Sequence, residues 1–324
     1  MSKPTDYMFG ARKLVDACTS VAPDERVLII TDRDTDPIIP DSVAQAARER
    51  NAIVQVLTME NNKADSGEPP AEIAGAMLEA DVIFTAVQVS VTHTQAVRDA
   101  TANGARIAAL TQWIPEMLAG GGIEADFHAI EPRVMKVAKI WDEGSVVRVT
   151  ARGGTDITMD IRGRLGTPHA KTSVIRKGEF HPVPDIESPV SPVTGDGVIV
   201  SDASIPYLNI GVLDEPVTLQ VKDGKVVSIE GGEPAEIVRA SWTSLNDPNV
   251  YNLAEIGIGM NPSCRLIGRM LEDEGVATTC HFGIGTSNTL GGTVKAACHY
   301  DFIVHDPTIE VDGVIIMQEG NLLV

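Results

Sequence analysis

Aromatic side chains are scarce in this sequence, at 4% of 324 residues, although hydrophobic residues together make up 43%. A chain of this length can bury a substantial core in one large or two smaller domains, so Val, Ile, Leu and Ala must fill it. Basic residues are also few, since 26 Lys and Arg stand against 45 Asp and Glu and give a formal net charge of −19. That excess argues against nucleic acid and anionic membrane surfaces as partners.

Three further signals are missing. The first residues contain no apolar signal-peptide core, and no stretch reaches about 18 consecutive apolar residues, so we expect neither secretion nor a membrane span. The four cysteines show no CxxC spacing, which predicts reduced thiols in a cytoplasmic protein. No predicted strand is followed by GxGxxG, and the run AGGG at 119–122 follows a helix, so a dinucleotide-binding fold is weakly supported.

The first half of the chain alternates between two patterns. Short β-branched apolar runs are separated by segments with helical spacing and polar faces, which is typical of a parallel sheet covered by helices. The predicted strands are 25–32, 52–59, 81–88 and 105–112, and the predicted helices are 41–51, 72–80 and 92–104. We therefore predict a doubly wound α/β domain over residues 1–145.

The pattern changes near residue 145. Segments such as SVVRVTAR, TDITMDIRG and PVTLQVKDG alternate at period two and are joined by Gly, Asp and Pro turns, which predicts antiparallel strands. A helical stretch at about 234–244 interrupts them, and HFGIG, HYDFIV and GVIIMQEG are predicted as the last strands. We predict an α+β domain rich in antiparallel strands over residues 146–324. A small-molecule ligand fits this organisation, and self-association into a homo-oligomer is left open.

The triplet HYD gives the sharpest local signal for chemistry. In a strand, His299 and Asp301 point to the same face, with Cα atoms about 6–7 Å apart, so an imidazole and a carboxylate lie side by side. Two such ligands suit one metal ion. Taken alone the triplet is weak, because it also occurs by chance in polar loops.

Other residues strengthen the metal hypothesis. Glu255 lies in the apolar, glycine-rich run LAEIGIGMNP, and a buried carboxylate needs a partner, which is a metal, the backbone of a turn or an arginine such as Arg265. His281 has a similar setting in CHFGIG, and Glu179 follows a glycine in RKGEFHPVPD. With His299 and Asp301 these residues make five candidate ligands, enough for two metals that share a carboxylate.

Four ordered motifs carry a resemblance to a known family. They are GEFHPVPDIESPVSPVTGDGVIV, LAEIGIGMNP, EDEGVATTCHFGIGTSNTLGG and HYD, and the match covers roughly residues 150–310. Together they resemble the metal-binding frame of the aminopeptidase T family of metallopeptidases. The resemblance implies that two divalent metals (Zn, Co or Mn) are bound by Glu179, Glu255, His281, His299 and Asp301.

The same frame resembles that of the 2,5-dihydroxypyridine 5,6-dioxygenases, which carry a single Fe(II). This implies Glu255, His299 and Asp301 as ligands, with open positions for a hydroxylated heteroaromatic ring and O₂. The compact N-terminal half favours this branch, whereas the presence of all five candidate ligands favours the hydrolases. We predict an Fe(II)-dependent, extradiol-like ring-cleaving dioxygenase, and keep a two-metal aminopeptidase or amide hydrolase as the alternative.

Three histidines are candidates for proton transfer. His93 stands at the start of a predicted helix after a strand, and His169 and His181 flank the Glu179 motif. We predict that His93 or His181 takes the substrate hydroxyl proton, with His169 as a further candidate. For His93, a solvated residue at a helix start explains the pattern equally well.

Overall fold

The computed structural model describes residues 6–61, 67–92 and 94–324. Its contacts divide the chain into two units, Met1–Ala129 with Thr172–Pro184 and Ile130–Lys171 with Asp185–Val324. Both units combine strands with helices, so the predicted mixed α/β character is confirmed. No helix in the described ranges is both long and apolar enough to cross a membrane.

Helices are more frequent in the first half of the chain. The α-helices of the described residues are α1 (Tyr7–Lys13), α2 (Ile38–Glu49), α3 (Ala71–Glu79), α4 (Gln95–Ala102), α5 (Pro115–Ala119), α6 (Phe127–Glu143), α7 (Gly232–Leu245) and α8 (Met270–Asp273). A π-helix (Leu14–Cys18) and two 3₁₀ turns (Gly122–Glu124 and Pro248–Tyr251) accompany them.

Strands occur throughout the chain. Those of the described residues are β1 (Arg26–Asp32), β2 (Ile53–Met59), β3 (Val82–Ala86), β4 (Arg106–Ala109), β5 (Val146–Thr150), β6 (Asp156–Asp160), β7 (Phe180–Pro182), β8 (Glu187–Val190), β9 (Thr194–Ser201), β10 (Ser204–Ile205), β11 (Gly211–Val212), β12 (Val217–Lys222), β13 (Lys225–Glu230), β14 (Leu253–Gly259), β15 (Thr279–Gly285), β16 (His299–His305), β17 (Thr308–Val311), β18 (Val314–Gln318) and β19 (Asn321–Leu322).

The first unit is built on a five-stranded parallel sheet with strand order β2-β1-β3-β4-β7. Its core packs apolar residues of α3 and α4, such as Met77 and Val97, with Ile30, Ile83 and Ile107 of the sheet. The central strands β1, β3 and β4 are apolar and almost wholly buried, as expected inside a parallel sheet, whereas the edge strand β2 is largely exposed. The helix predicted at 92–104 begins at Gln95, where the Thr94 hydroxyl accepts a hydrogen bond from the Val97 amide.

The second unit contains a six-stranded sheet, β11-β10-β16-β15-β14-β8, and an eight-stranded sheet, β13-β12-β9-β6-β5-β17-β18-β19. The strand pairings within both sheets are antiparallel. Trp242 of α7 is buried, and its ring centroid lies 6.1 Å from that of Phe302 on β16. The six-stranded sheet carries the polar residues described below.

The division of the chain differs from the single boundary predicted at residue 145. Residues 172–184 return to the first unit, because β7 pairs in parallel with β4 and sets Phe180 opposite Ile107. Most of α6 belongs to the second unit, where the Trp141 indole donates a hydrogen bond to the Ser188 carbonyl at 3.1 Å. A three-residue strand that contains a proline gives little periodicity from which such a return could be predicted.

Candidate metal centre

Three adjacent antiparallel strands, β14, β15 and β16, bring the polar residues together. In the register of the sheet, Glu255 and Asp301 both stand opposite Gly283 of the middle strand. His281 stands opposite Gly257 in the same way. A glycine therefore stands opposite each of these three side chains in the sheet.

These glycines provide the space that the imidazoles occupy. A Cβ atom added at Gly257 would lie 2.0 Å from His281 Nε2. One added at Gly283 would lie 2.5 Å from His299 Nε2 and 2.9 Å from Glu255 Cβ. Any larger residue at Gly257 or Gly283 would displace an imidazole ring, so the site requires glycine at both positions.

Two clusters of potential ligands share Glu255. In the first, His299 Nε2 lies 3.0 Å from Glu255 Oε2 and 3.3 Å from Asp301 Oδ1. In the second, His281 Nε2 lies 2.9 Å from Glu187 Oε2 and 3.7 Å from Glu255 Oε1. Within each cluster the ligand atoms, one per residue, lie within 4.8 Å of one another.

A backbone contact fixes the orientation of the His299 ring. Its Nδ1 lies 2.8 Å from the Thr286 carbonyl oxygen, which can only accept, so Nδ1 carries a proton. The remaining nitrogen, Nε2, faces two carboxylates. It must therefore either bind a second proton or direct its lone pair at a cation, and a backbone carbonyl on the far nitrogen is typical of metal-binding histidines.

The site contains more buried acid than base. Asp185, Glu187 and Glu274 are buried, and burial together with neighbouring carboxylates raises the pKa of each. Burial would also raise the pKa of Glu255 and Asp301, but His281 and His299 outweigh it and hold both below their usual range. In turn, the carboxylates outweigh the burial of the two imidazoles and raise their pKa well above 6.5.

This donor set fits a divalent cation. Asp301 Oδ1 and His281 Nδ1 are buried and have no hydrogen-bond partner in the described part of the chain. Carboxylate oxygens and imidazole nitrogens are the donors that iron, manganese, cobalt and zinc accept. A cation between Glu255, His299 and Asp301 would also offset the excess of buried negative charge.

The structure brings four of the predicted site residues together: Glu255, His281, His299 and Asp301. Glu179 and His181 belong to the first unit. The Glu179 carboxylate accepts from the Arg176 amide at 2.7 Å and lies 3.9 Å from His181 Nε2. Neither residue is part of the two clusters, so their predicted roles stay predictions. His93 lies outside the described residues.

Glu187 is the site residue that the sequence analysis did not select. It begins β8, opposite Gly259 of the neighbouring β14, and the Trp141 indole anchors the next residue. Its segment, PDIESPVSP, belongs to the same motif of the resemblance as Glu179, which was taken as the ligand there instead. The available signal was the uncharged run SPVSPV that follows Glu187, whereas Glu179 follows the polar stretch RKG.

A family comparison covers almost the whole chain. The family model described as 2,5-dihydroxypyridine 5,6-dioxygenase matches residues 10–324. A curated relative with the same name, from Pseudomonas putida, is 28% identical over 133 residues, which are 38% of this chain and 37% of the relative. The matched segment therefore spans well under half of that relative.

Two solved structures resemble the fold. The 2,5-dihydroxypyridine dioxygenase of Pseudomonas putida KT2440 superposes with a TM-score of 0.83 at 19% identity and covers 99% of both chains. Wild-type AmpT from Thermus thermophilus gives a TM-score of 0.71 at 15% identity, over 98% of this chain and 99% of the other. At these identities the likeness concerns the fold alone.

Proposed function

The chain belongs to the 2,5-dihydroxypyridine 5,6-dioxygenase family, and we propose that it is a metal-dependent dioxygenase that opens the ring of a hydroxylated N-heteroaromatic compound resembling 2,5-dihydroxypyridine. The observation that carries the proposal is the family match over residues 10–324. The cluster of Glu255, His299 and Asp301 supports it, because it offers a cation three ligands from two strands.

We propose Fe(II) as the metal and these three residues as its ligands. When bound, the iron would supply the redox chemistry that couples the electron-rich ring to O₂. Glu255 and Asp301 would supply the negative charge, and the Thr286 carbonyl orients His299 so that its Nε2 faces both carboxylates. His281 lies 3.7 Å from the proposed ligand Glu255, and Glu187 lies 2.9 Å from His281, so both would adjoin the ligand set without belonging to it.

A base is needed for the substrate hydroxyl proton. We propose His93 or His181 for this role, with His169 as a further candidate. Burial lowers the pKa of His169, so the imidazole is neutral near pH 7 and able to accept a proton. His169 belongs to the same unit as the metal centre, and its Nε2 lies 2.9 Å from the position of a Cβ on Gly291, in the glycine-rich loop before β16.

A second candidate function is favoured by one observation. Glu187, Glu255 and His281 form a second potential metal cluster that shares Glu255 with the first. A two-metal peptidase or amide hydrolase would need such a bridge between zinc, cobalt or manganese ions about 3.5–4 Å apart. The fold likeness to AmpT is compatible with this alternative.

Oxygen consumption separates the two candidates. Protein purified without oxygen and reloaded with Fe(II) is expected to consume O₂ with 2,5-dihydroxypyridine and to hold about one iron per chain. His299→Ala and Asp301→Ala should abolish turnover and remove most of the metal, because each deletes a ligand. His305→Ala, at the other end of β16, is the matched control and should keep both its turnover and its metal. Two tightly bound zinc ions with oxygen-independent amide cleavage would overturn the proposal.

His281→Ala tests the number of ligands. If iron uses only Glu255, His299 and Asp301, this variant should turn over more slowly but retain its metal. Loss of the iron would instead place His281 in the ligand set.

Several finer points belong to the same proposal. We propose that the parallel sheet is doubly wound, that the dioxygenase is of extradiol-like type, and that it acts in the cytoplasm on a small molecule. Self-association into a homo-oligomer stays open, and sedimentation of the purified protein would decide it.

A further inference from the structure

A buried tyrosine adjoins the centre on the side of Asp301. The Tyr207 hydroxyl lies 2.7 Å from Asp301 Oδ2 and 3.1 Å from Glu274 Oε1. All three side chains are buried. Tyr207 follows the short strand β10, which pairs with β16, whereas Glu274 directly follows α8.

The protons in this chain of contacts can be counted. A hydroxyl has one proton, and two ionised carboxylates cannot both accept it. The contact with Asp301 Oδ2 is the shorter of the two, and in it the Tyr207 hydroxyl donates to the carboxylate. Glu274 must then carry its own proton and donate to the Tyr207 oxygen. Burial, and then the charge of Asp301, raises the pKa of Glu274 well above its ordinary value, which agrees with this assignment.

The hydrogen bond makes the two oxygens of Asp301 unequal. Oδ2 is engaged by Tyr207, whereas Oδ1 has no hydrogen-bond partner among the described residues and lies 3.3 Å from His299 Nε2. We infer that Tyr207 is a positioning residue that holds Oδ2 away from the metal and makes Asp301 a single-oxygen ligand through Oδ1. The inference rests on the proposed metal site. It goes beyond that site by naming the residue, Tyr207, that determines how Asp301 binds the metal.

A neighbouring tyrosine provides a matched control. The Tyr300 ring lies 5.1 Å from the Tyr207 ring, but its hydroxyl is 2.9 Å from the Ser241 hydroxyl rather than from a carboxylate. Replacement of either tyrosine by Phe removes one buried hydroxyl and leaves the ring packing in place. Only Tyr207→Phe removes a contact with a predicted ligand.

The test measures metal binding rather than turnover. Titration of the metal-free chain with Co(II), and with Fe(II) under nitrogen, is expected to show about 10–100-fold weaker binding for Tyr207→Phe, the usual effect of losing a partner of a ligand. Tyr300→Phe should bind as the wild type does. The visible spectrum of Co(II)-loaded Tyr207→Phe should also lose intensity, because a two-oxygen Asp301 raises the coordination number.

The outcomes separate the inference from the proposed function. Wild-type affinity and an unchanged Co(II) spectrum in Tyr207→Phe would overturn the inference. An Asp301→Ala variant that still binds metal would overturn the site itself.

If Tyr207→Phe does not fold, the variants Glu274→Gln and Glu274→Leu test the inference instead. The amide can still donate to Tyr207 and should preserve affinity, whereas Leu cannot and should weaken binding several-fold. Equal affinities in that pair would also overturn the inference.

Discussion

At the scale of the residue, Glu255 determines the character of the site. Each of its oxygens faces a different imidazole, with Oε2 3.0 Å from His299 and Oε1 3.7 Å from His281. The alternative partner considered from the sequence, Arg265, instead contacts Glu272 at 3.4 Å. Glu255 is therefore a shared ligand candidate and not half of a structural ion pair.

Replacement of Glu255 by Gln tests this role. The amide has nearly the same shape, but it is neutral and a poorer ligand for a hard divalent cation. We expect the metal content after dialysis to fall to roughly a tenth of the wild-type value or less. Elemental analysis measures it, and Glu230→Gln, at the exposed end of β13, is the control. A Glu255→Gln variant that kept its metal and lost only stability would contradict the ligand role.

The sequence predicted single site residues correctly where the burial of a charged side chain was the signal. A carboxylate inside LAEIGIGMNP had to be buried and had to have a partner, and Glu255 meets both expectations. It failed to select Glu187, because three acidic residues follow Glu179 within its motif (Asp185, Glu187 and Asp196) and the choice among them depends on which strand pairs with β14. Strand order of this kind is a non-local property that no window of sequence contains.

At the scale of the element, the site depends on three strands of which the sequence predicted two. HFGIG and HYDFIV were recognised, and the placement of His299 and Asp301 on one strand is confirmed. The strand β14 was not predicted, and like β15 it lacks the alternation of a half-exposed strand, because all seven of its residues are buried. Its glycines also lower its apparent strand propensity, although they are what makes room for the imidazoles.

Substitution of Gly283 tests the steric argument. In Gly283→Ala the new methyl group must displace the His299 ring or Glu255, since the contacts would be 2.5 and 2.9 Å. We expect metal affinity to fall by about 10-fold or more while the far-ultraviolet circular dichroism spectrum stays that of the wild type. Gly283 takes no left-handed backbone angle, so the effect is steric rather than conformational.

Gly75→Ala is the matched control for that substitution. Gly75 lies within α3, and no atom would lie within 4 Å of its new Cβ. Alanine is the better helix former, so we expect a gain of about 0.5–1 kcal/mol in the free energy of unfolding and unchanged metal affinity. Denaturant titration measures the former. Equal metal affinity in the two variants would remove the steric role of Gly283.

At the scale of the whole molecule, the chain builds two units by crossing between them more than once. The alternation of strands and helices predicted the parallel sheet of the first unit, and period-two segments predicted antiparallel strands of the second such as β5, β6 and β12. The return of residues 172–184 could not be predicted, because it depends on the pairing of β7 with β4 across more than 70 residues of sequence. The metal site lies wholly in the second unit.

Two buried thiols report separately on the two units. Cys280 precedes His281 on β15, and burial raises its pKa to about 12. Cys18 lies in the first unit, and burial raises its pKa as well. Because each pKa lies far above pH 8, both thiols stay protonated and unreactive in the native fold, and labelling requires local opening.

Removal of the metal should therefore affect the two cysteines differently. A cation that binds only the native second unit stabilises it by about 2.7 kcal/mol when its concentration is 100 times the dissociation constant. We expect alkylation of Cys280 at pH 8, followed by mass spectrometry in mild denaturant, to be about 100-fold slower with metal than with chelator. Cys18 is the internal control. If the two units open independently, metal should change the alkylation rate of Cys18 much less than that of Cys280. If metal slows both rates equally, the units open together. A Cys280 rate that is the same with and without metal would place the cation elsewhere, because a cation bound by Glu255 of β14 and by His299 and Asp301 of β16 joins the two strands that pair with β15.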